Sequence, residues 1–197
     1  KRLLLILILT FSVQSWTKAD DISDFEIEGM SLGDSLLDYF SEKEIKKNIM
    51  WEYNDDKINN KFVVVEFYDY KLAQQYDGIQ IAIKLKDKEY KIYMIVGALH
   101  FENIKIEDCY DQMEKIDAEL SNMFSSASRE KKDKKLKPDI TGKSKLTSIY
   151  YYFADGGNAS VQCSHFSKNY ADPSSKNNLK VAIRSSEYRK WYFSSLK

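Results

Sequence analysis

The chain has 197 residues, 43% of them hydrophobic and 14% aromatic, which excludes an intrinsically disordered polymer and points to a folded core. Its 30 basic and 30 acidic side chains cancel, so the broad basic excess of a nucleic-acid or polyanion binder is absent. Two cysteines far apart in sequence, Cys109 and Cys163, speak against a C-x-x-C redox motif and against the closely paired ligands of a structural zinc site.

Lys1 and Arg2, the apolar run Leu3 to Phe11 and the small residue Ala19 form the three parts of a secretory leader. The spacing predicts a signal peptide over 1–19 and a single domain over 20–197. The apolar run falls short of the roughly 20 residues a spanning helix needs, and no later run is long enough, so no stable membrane span is expected after cleavage. An uncleaved anchor is the alternative. Removing Lys1, Arg2 and Lys18 leaves 27 basic against 30 acidic side chains, a net −3. The first cysteine is Cys109, so a lipid-bearing cysteine at the cut is excluded, and the product is expected in the periplasm or secreted. In that oxidising compartment a Cys109–Cys163 disulfide is the first reading and two buried free thiols the second.

Gly29 marks a turn, and Ser31 reads as the cap of an amphipathic helix carrying Leu32, Leu36, Leu37, Phe40 and Ile45. A polar loop with Asn54, Asp55, Asp56, Asn59 and Asn60 follows. Three strand-like runs, Phe62 to Tyr70, Ile79 to Lys86 and Glu89 to Leu99, predict an antiparallel meander. In the second, Ile79, Ile81, Ile83 and Leu85 share one face, and Gln80, Lys84 and Lys86 the other. The clearest helix runs from about Ile106 to Ser126 and turns Cys109, Met113, Ile116 and Leu120 inward. REKKDKKLK, Arg129 to Lys137, reads as a solvated connector. Three more strands are predicted at Lys145 to Ala154, Ala159 to Phe166 and Leu179 to Arg184, with a hairpin turn at Asp155-Gly156-Gly157-Asn158. A terminal helix spans Ser186 to Leu196. Single helices between runs of strands give an α+β class: a mainly antiparallel sheet of about six strands with helices packed on one face, an order that also divides into two helix-plus-three-strand halves.

Few motifs carry chemistry. Gly142-Lys143-Ser144 lacks the first glycine of a phosphate loop, Lys137 standing there, and leads into a strand. Asp20, Asp21, Asp24 and Asp55, Asp56 lack the alternating ligands of a calcium loop. No metal or cofactor is expected. His100 and His165 are the only histidines; Ser164 and His165, adjacent on a strand, point to opposite faces and cannot act as nucleophile and base. Tyr150 to Phe153 form an aromatic strand. Alternation sends two of the four into a core, while Tyr150 and Tyr152, with His165, are the candidate ligand face. Asn158-Ala159-Ser160 matches a glycosylation acceptor at a hairpin tip.

The segment DFEIEGMSLGDSLLDYF at Asp24 to Phe40, Cys109-Tyr110, TGKSK at Thr141 to Lys145, the Cys163 strand and NLKVAIRSSEYRKW at Asn178 to Trp191 together resemble an uncharacterised group of small exported proteins from marine alphaproteobacteria of the Pelagibacter kind. The resemblance implies periplasmic residence and makes Cys109 with Cys163 the group's usual pair; it implies no activity. The stretch Gly29 to Leu37 also resembles the turn and helix of small outer-membrane assembly lipoproteins, without their lipid-bearing cysteine. The leading functional reading is a periplasmic, non-catalytic module that binds a small ligand or an envelope protein, and not nucleic acid. The alternatives are an envelope hydrolase using His100 or His165, and an envelope-assembly accessory that pairs strands with clients.

Overall fold

The computed structural model describes residues 22, 25–50, 61–68, 75–84, 86–101, 105–137, 139–172 and 175–195. The leader, its cut after Ala19, the acidic pairs at 20–21 and 55–56, Asp24, Leu85 and Leu196 lie outside the described residues. The strands are β1 (Phe62–Tyr68), β2 (Gly78–Lys84), β3 (Ile92–Phe101), β4 (Ser128–Lys135), β5 (Lys145–Tyr152), β6 (Asn158–His165) and β7 (Asn177–Arg184). The helices are α1 (Glu42–Lys47), α2 (Ile106–Met123) and α3 (Ser186–Ser195).

All strand pairs are antiparallel, in one seven-stranded sheet of order β1-β2-β3-β7-β6-β5-β4. The α+β class with an antiparallel sheet is the architecture its alternation patterns predict. A three-strand meander ends in α2; a four-strand meander then starts at the far edge and returns to the centre, where β7 pairs with β3. On one face Val63, Val65, Ile79, Ile81, Ile95, Val161, Leu179, Val181 and Ile183 are buried beneath α2 and the segment 25–49. Each such side chain taken fully out of water contributes about 1.5–3 kcal/mol. On the opposite face α3 seats Tyr188 and Trp191 against Phe62, Val64, Ala82 and Met94, a second and smaller core. Helices therefore lie on both faces and not on one as expected, because the aromatic residues of α3 bury against the corner opposite α2. Trp191 and Tyr188 follow a three-residue stagger that faces this corner, and Glu187 locks it by pairing with Lys61 and Lys84.

Two segments depart from the sequence reading. The stretch expected as one helix after Ser31 breaks into a 3-10 turn, Leu36–Asp38, and α1. Gly33 adopts φ +98°, Ser35 caps the turn by accepting from the Leu37 amide, and Ser41 and Glu44 form a capping box that starts α1 afresh. Serine side chains compete for backbone donors, and here they win over helical periodicity. The lysine-rich run expected as a connector is instead strand β4, every residue exposed, paired with β5 from Ser128↔Tyr152 to Lys135↔Lys145. An edge strand wet on both sides needs no apolar alternation, and its charges oppose pairing with another chain. The other edge is closed too: the Met50 amide donates to Val64 O and the Glu66 amide to Asn48 O along β1.

Helix α2 is fixed at two points. Near its start Cys109 is disulfide-bonded to Cys163 of β6. In its latter half Asp117 takes a two-pronged ion pair from Arg129 of β4, at 2.9 and 2.6 Å, and a short hydrogen bond from Tyr151 of β5. Burial alone would raise the Asp117 carboxyl; the hydrogen bonds from Arg129 and Tyr151 outweigh it and hold it below the ordinary value. The turn after β4 is organised by another carboxylate. Asp139, 4% exposed, accepts from the amides and hydroxyls of Thr141 and Ser144 and from Ser167 Oγ. The Thr-Gly-Lys-Ser stretch is thus a wrapping for Asp139.

Two outcomes follow. Replacing both cysteines by serine removes a cross-link between residues separated by 54 positions; the chain-entropy model expects a loss of about 4 kcal/mol in urea unfolding. Hydrogen bonds from Thr141 lead those that hold the Asp139 carboxyl far below its unfolded value of 3.8, so its contribution is complete above that value and vanishes as pH falls further. D139N is expected to be less stable at pH 7 and to show a shallower loss of stability between pH 5 and 2, both measured by denaturant titration.

Candidate functional site

Cross-strand register sets out the face of the sheet that α3 leaves uncovered. Three rows run across β5, β6, β7 and β3: Tyr152, Asn158, Arg184, Met94; Tyr150, Ser160, Ala182, Val96; and Ser148, Gln162, Lys180, Ala98. The short side chains Ser160 and Ala182 form a floor, both at most 1% exposed, with Lys180 and Arg184 of β7 on either side of it. β7 alternates Leu179, Val181, Ile183 toward α2 with Lys180, Ala182, Arg184 toward this floor.

Tyr150 and Tyr152 stack at one side, ring centroids 5.7 Å apart and planes within 12°. Lys132 of β4 lies over both rings, at 5.7 and 5.8 Å, and Arg189 of α3 lies over Tyr152 at 5.0 Å. Arg189 also donates to the carbonyls of Gly156 and Gly157, tying α3 to the β5–β6 turn. Arg184 donates from Nη1 to Ser160 Oγ at 3.0 Å, with Tyr188, Tyr150 and Tyr192 around it. Among the described residues neither Arg184 nor Lys180 forms an ion pair with a carboxylate. Burial lowers both below their ordinary values; Glu66 partly counters the effect at Lys180, where the like charge of Arg184 adds to it. Glu66 itself is taken by Gln80 Nε2 and the Tyr68 hydroxyl. Beside Arg184, Asn158 is 3% exposed and its Oδ1 accepts no hydrogen bond from the described residues. The arrangement presents two cations, a short-residue floor and a ring stack, which suits an anionic group attached to a planar body.

Of the residues singled out from sequence, Tyr150 and Tyr152 share this face, while Tyr151 is buried at 1% exposure. His165 pairs with Lys145 two positions beyond the Thr147–Cys163 pair, so it lies on the disulfide side, away from the two tyrosines. Asn158 opens β6 inside the sheet, which removes it as a glycosylation acceptor. His100 ends β3; Asp77 accepts its backbone amide at 2.7 Å and sits 3.8 Å from its Nδ1. Among the described residues no hydroxyl bonds either imidazole, and no three His, Cys, Asp or Glu side chains converge as a metal site. Lys180 and Arg184 went unnoticed in the sequence. Their signal is there: two cations four apart on the wet face of a strand whose other face is wholly aliphatic.

No protein-family model matches the chain, and neither a curated protein nor a solved structure matches it. Among the described residues no helix is long and apolar enough to cross a membrane.

Burial lowers the Lys180 ammonium against an unfolded value of 10.5, so its charge works against folding at neutral pH, a cost that begins to fall as pH rises through its folded value and is gone above 10.5. K180M is therefore expected to unfold at an equal or higher urea concentration than the parent at pH 7, with a weaker gain in stability between pH 8 and 10.

Proposed function

We propose that the protein is an exported, periplasmic binding module that holds its ligand non-covalently on the open face of the sheet, with Lys180 and Arg184 receiving a carboxylate or phosphate and Tyr150 and Tyr152 stacking its planar part. The carrying observation is the pair of half-buried cations flanking Ser160 and Ala182 without a carboxylate partner among the described residues. Burying a charge is costly unless something compensates it, and sites that bind oppositely charged ligands are where such a cost persists. The site is local: the chain as a whole is neutral, so the reading concerns one anionic group and not a polyanion. Residence outside the cytoplasm is supported by the leader pattern and by the Cys109–Cys163 disulfide, which an oxidising compartment maintains. Strand pairing with clients has less support, since β4 is an edge with seven of its eight side chains charged and β1 is capped by residues 48–50.

Titration of the oxidised protein with phenyl phosphate, inorganic phosphate and phenol, followed by amide chemical shifts, tests the reading. Phenyl phosphate is expected to bind best, with shifts confined to β5, β6 and β7. R184M and K180M are each expected to weaken it about tenfold, or about 1.4 kcal/mol, and Y152A several-fold. Equal response to phenol and phenyl phosphate, or shifts away from these strands, would overturn it.

A further inference from the structure

A cleft of about 660 Å³ opens on the other face of the sheet, within the range of small-molecule sites. Its walls are α2 on one side and the segment 25–29 on the other. Leu99 of β3 and Val181 of β7 lie at its base, and Ile116, Leu120 and Met123 of α2 continue the apolar surface. Tyr76 closes one end. Its ring lies flat against β3 where Gly97 leaves room, and a Cβ on Gly97 would come within 2.7 Å of that ring. The wall opposite α2 is tied down by Glu28, whose Oε1 accepts the Gln75 and Tyr76 amides at 2.8 and 2.9 Å while its backbone holds φ +53°. A left-handed backbone at a glutamate persists only when its surroundings fix it, so the cleft is shaped before any ligand arrives.

Its charge is one-sided. Glu26, Glu28 and Glu119 line the rim against the single cation Lys115. Among the described residues Glu26, Glu119 and Lys115 form no hydrogen bond or ion pair, and the Tyr76 hydroxyl has no hydrogen-bond partner. Burial first, then the carboxylates of Glu28 and Glu119, push Tyr76 up to about 12, so it keeps its proton and offers an oxygen lone pair at neutral pH. An apolar base, an aromatic wall and a carboxylate rim complement one ligand chemistry. We infer that this cleft is a second binding site, separate from the open face, for a small organic cation: an amine or quaternary ammonium carried on a flat or aliphatic apolar body. The body lies on Leu99, Val181, Ile116 and Leu120, and the cationic end meets Glu119 and the face and hydroxyl of Tyr76.

Tryptamine, indole-3-propionate and indole share one ring and differ in charge. Titrated into the full oxidised chain, tryptamine is expected to bind at least tenfold tighter than indole-3-propionate, with indole between them and shifts at residues 76, 99, 116, 120 and 181. E119Q alters an exposed helix residue and leaves folding intact; it is expected to weaken tryptamine about three- to tenfold and to leave indole unchanged. I116F narrows the cleft and is expected to weaken all three ligands. K180M and R184M are expected to leave tryptamine binding unchanged, which separates failure here from failure of the open-face site. Equal affinity for the cation and the anion, or loss of tryptamine binding in K180M, would overturn the inference.

Discussion

The two-point attachment of α2 to the second half of the sheet sets the rest of the molecule. The disulfide holds the start of the helix over β6, and the Tyr151–Asp117–Arg129 cluster holds its latter half to β5 and β4. A helix fixed on that side cannot also lie centrally over the first meander. The gap that remains is filled from the N-terminal side, where Ile27, Met30, Leu36, Phe40 and Ile45 enter the same core. Phe25 bridges the two by meeting Phe124, at the end of α2, with ring centroids 5.7 Å apart. Coverage assembled from a helix and an irregular segment leaves a seam between them, and the acidic cleft is that seam. A single long helix after Ser31 could have sealed it; the caps at Ser35 and Ser41 prevent one from forming.

The opposite face obeys a different constraint. α3 is short, and its aromatic residues reach only the corner made by Phe62, Val64, Ala82 and Met94. Beyond that corner the central strands carry serine, alanine, asparagine and glutamine, side chains too small or too polar to build a second core. Ser148 and Ser160 are nevertheless at most 2% exposed, and Arg184 reaches over to donate to Ser160 Oγ. Lys180 and Arg184 therefore lose much of their water without gaining an ion pair to a carboxylate among the described residues. Packing alone would favour methionine or leucine at both positions, since replacing buried charge by apolar volume is commonly neutral or stabilising. Their presence is the feature that packing does not explain and that the proposed anion site would use.

Sequence periodicity was informative where one side of an element is apolar and the other is not. The strands at Phe62, Ile79, Lys145 and Leu179, and the inward stripe of α2 from Cys109 to Leu120, are visible for that reason. It failed at β4, where seven of eight side chains are charged and both faces are wet, so that only pairing with β5 reveals a strand. It failed again between Gly33 and Ser41, where local side-chain caps decide the backbone and the leucine spacing does not. The site was half legible. An aromatic run on an alternating strand pointed to Tyr150 and Tyr152, but cations are expected on any solvated strand face. Only the register, which puts Lys180 and Arg184 on either side of Ala182 and next to Ser160, turns two unremarkable charges into a pair.

The two faces also differ in what they ask of the sheet between them. Val181 is shared: it lies at the base of the cleft on one side, while its chain neighbours Lys180 and Ala182 belong to the open face on the other. β7 is paired on both sides along its length, to β3 and to β6, so it offers little freedom for either face to shift alone. Alternation along a central strand thus gives two chemically opposite surfaces a common rigid backbone. Cations stand where the residues between them are small, and carboxylates rim the place where the base is apolar. In both cases the charge sits beside short or hydrocarbon neighbours that do not neutralise it, and that leaves a cationic face and an acidic cleft on the two sides of one strand.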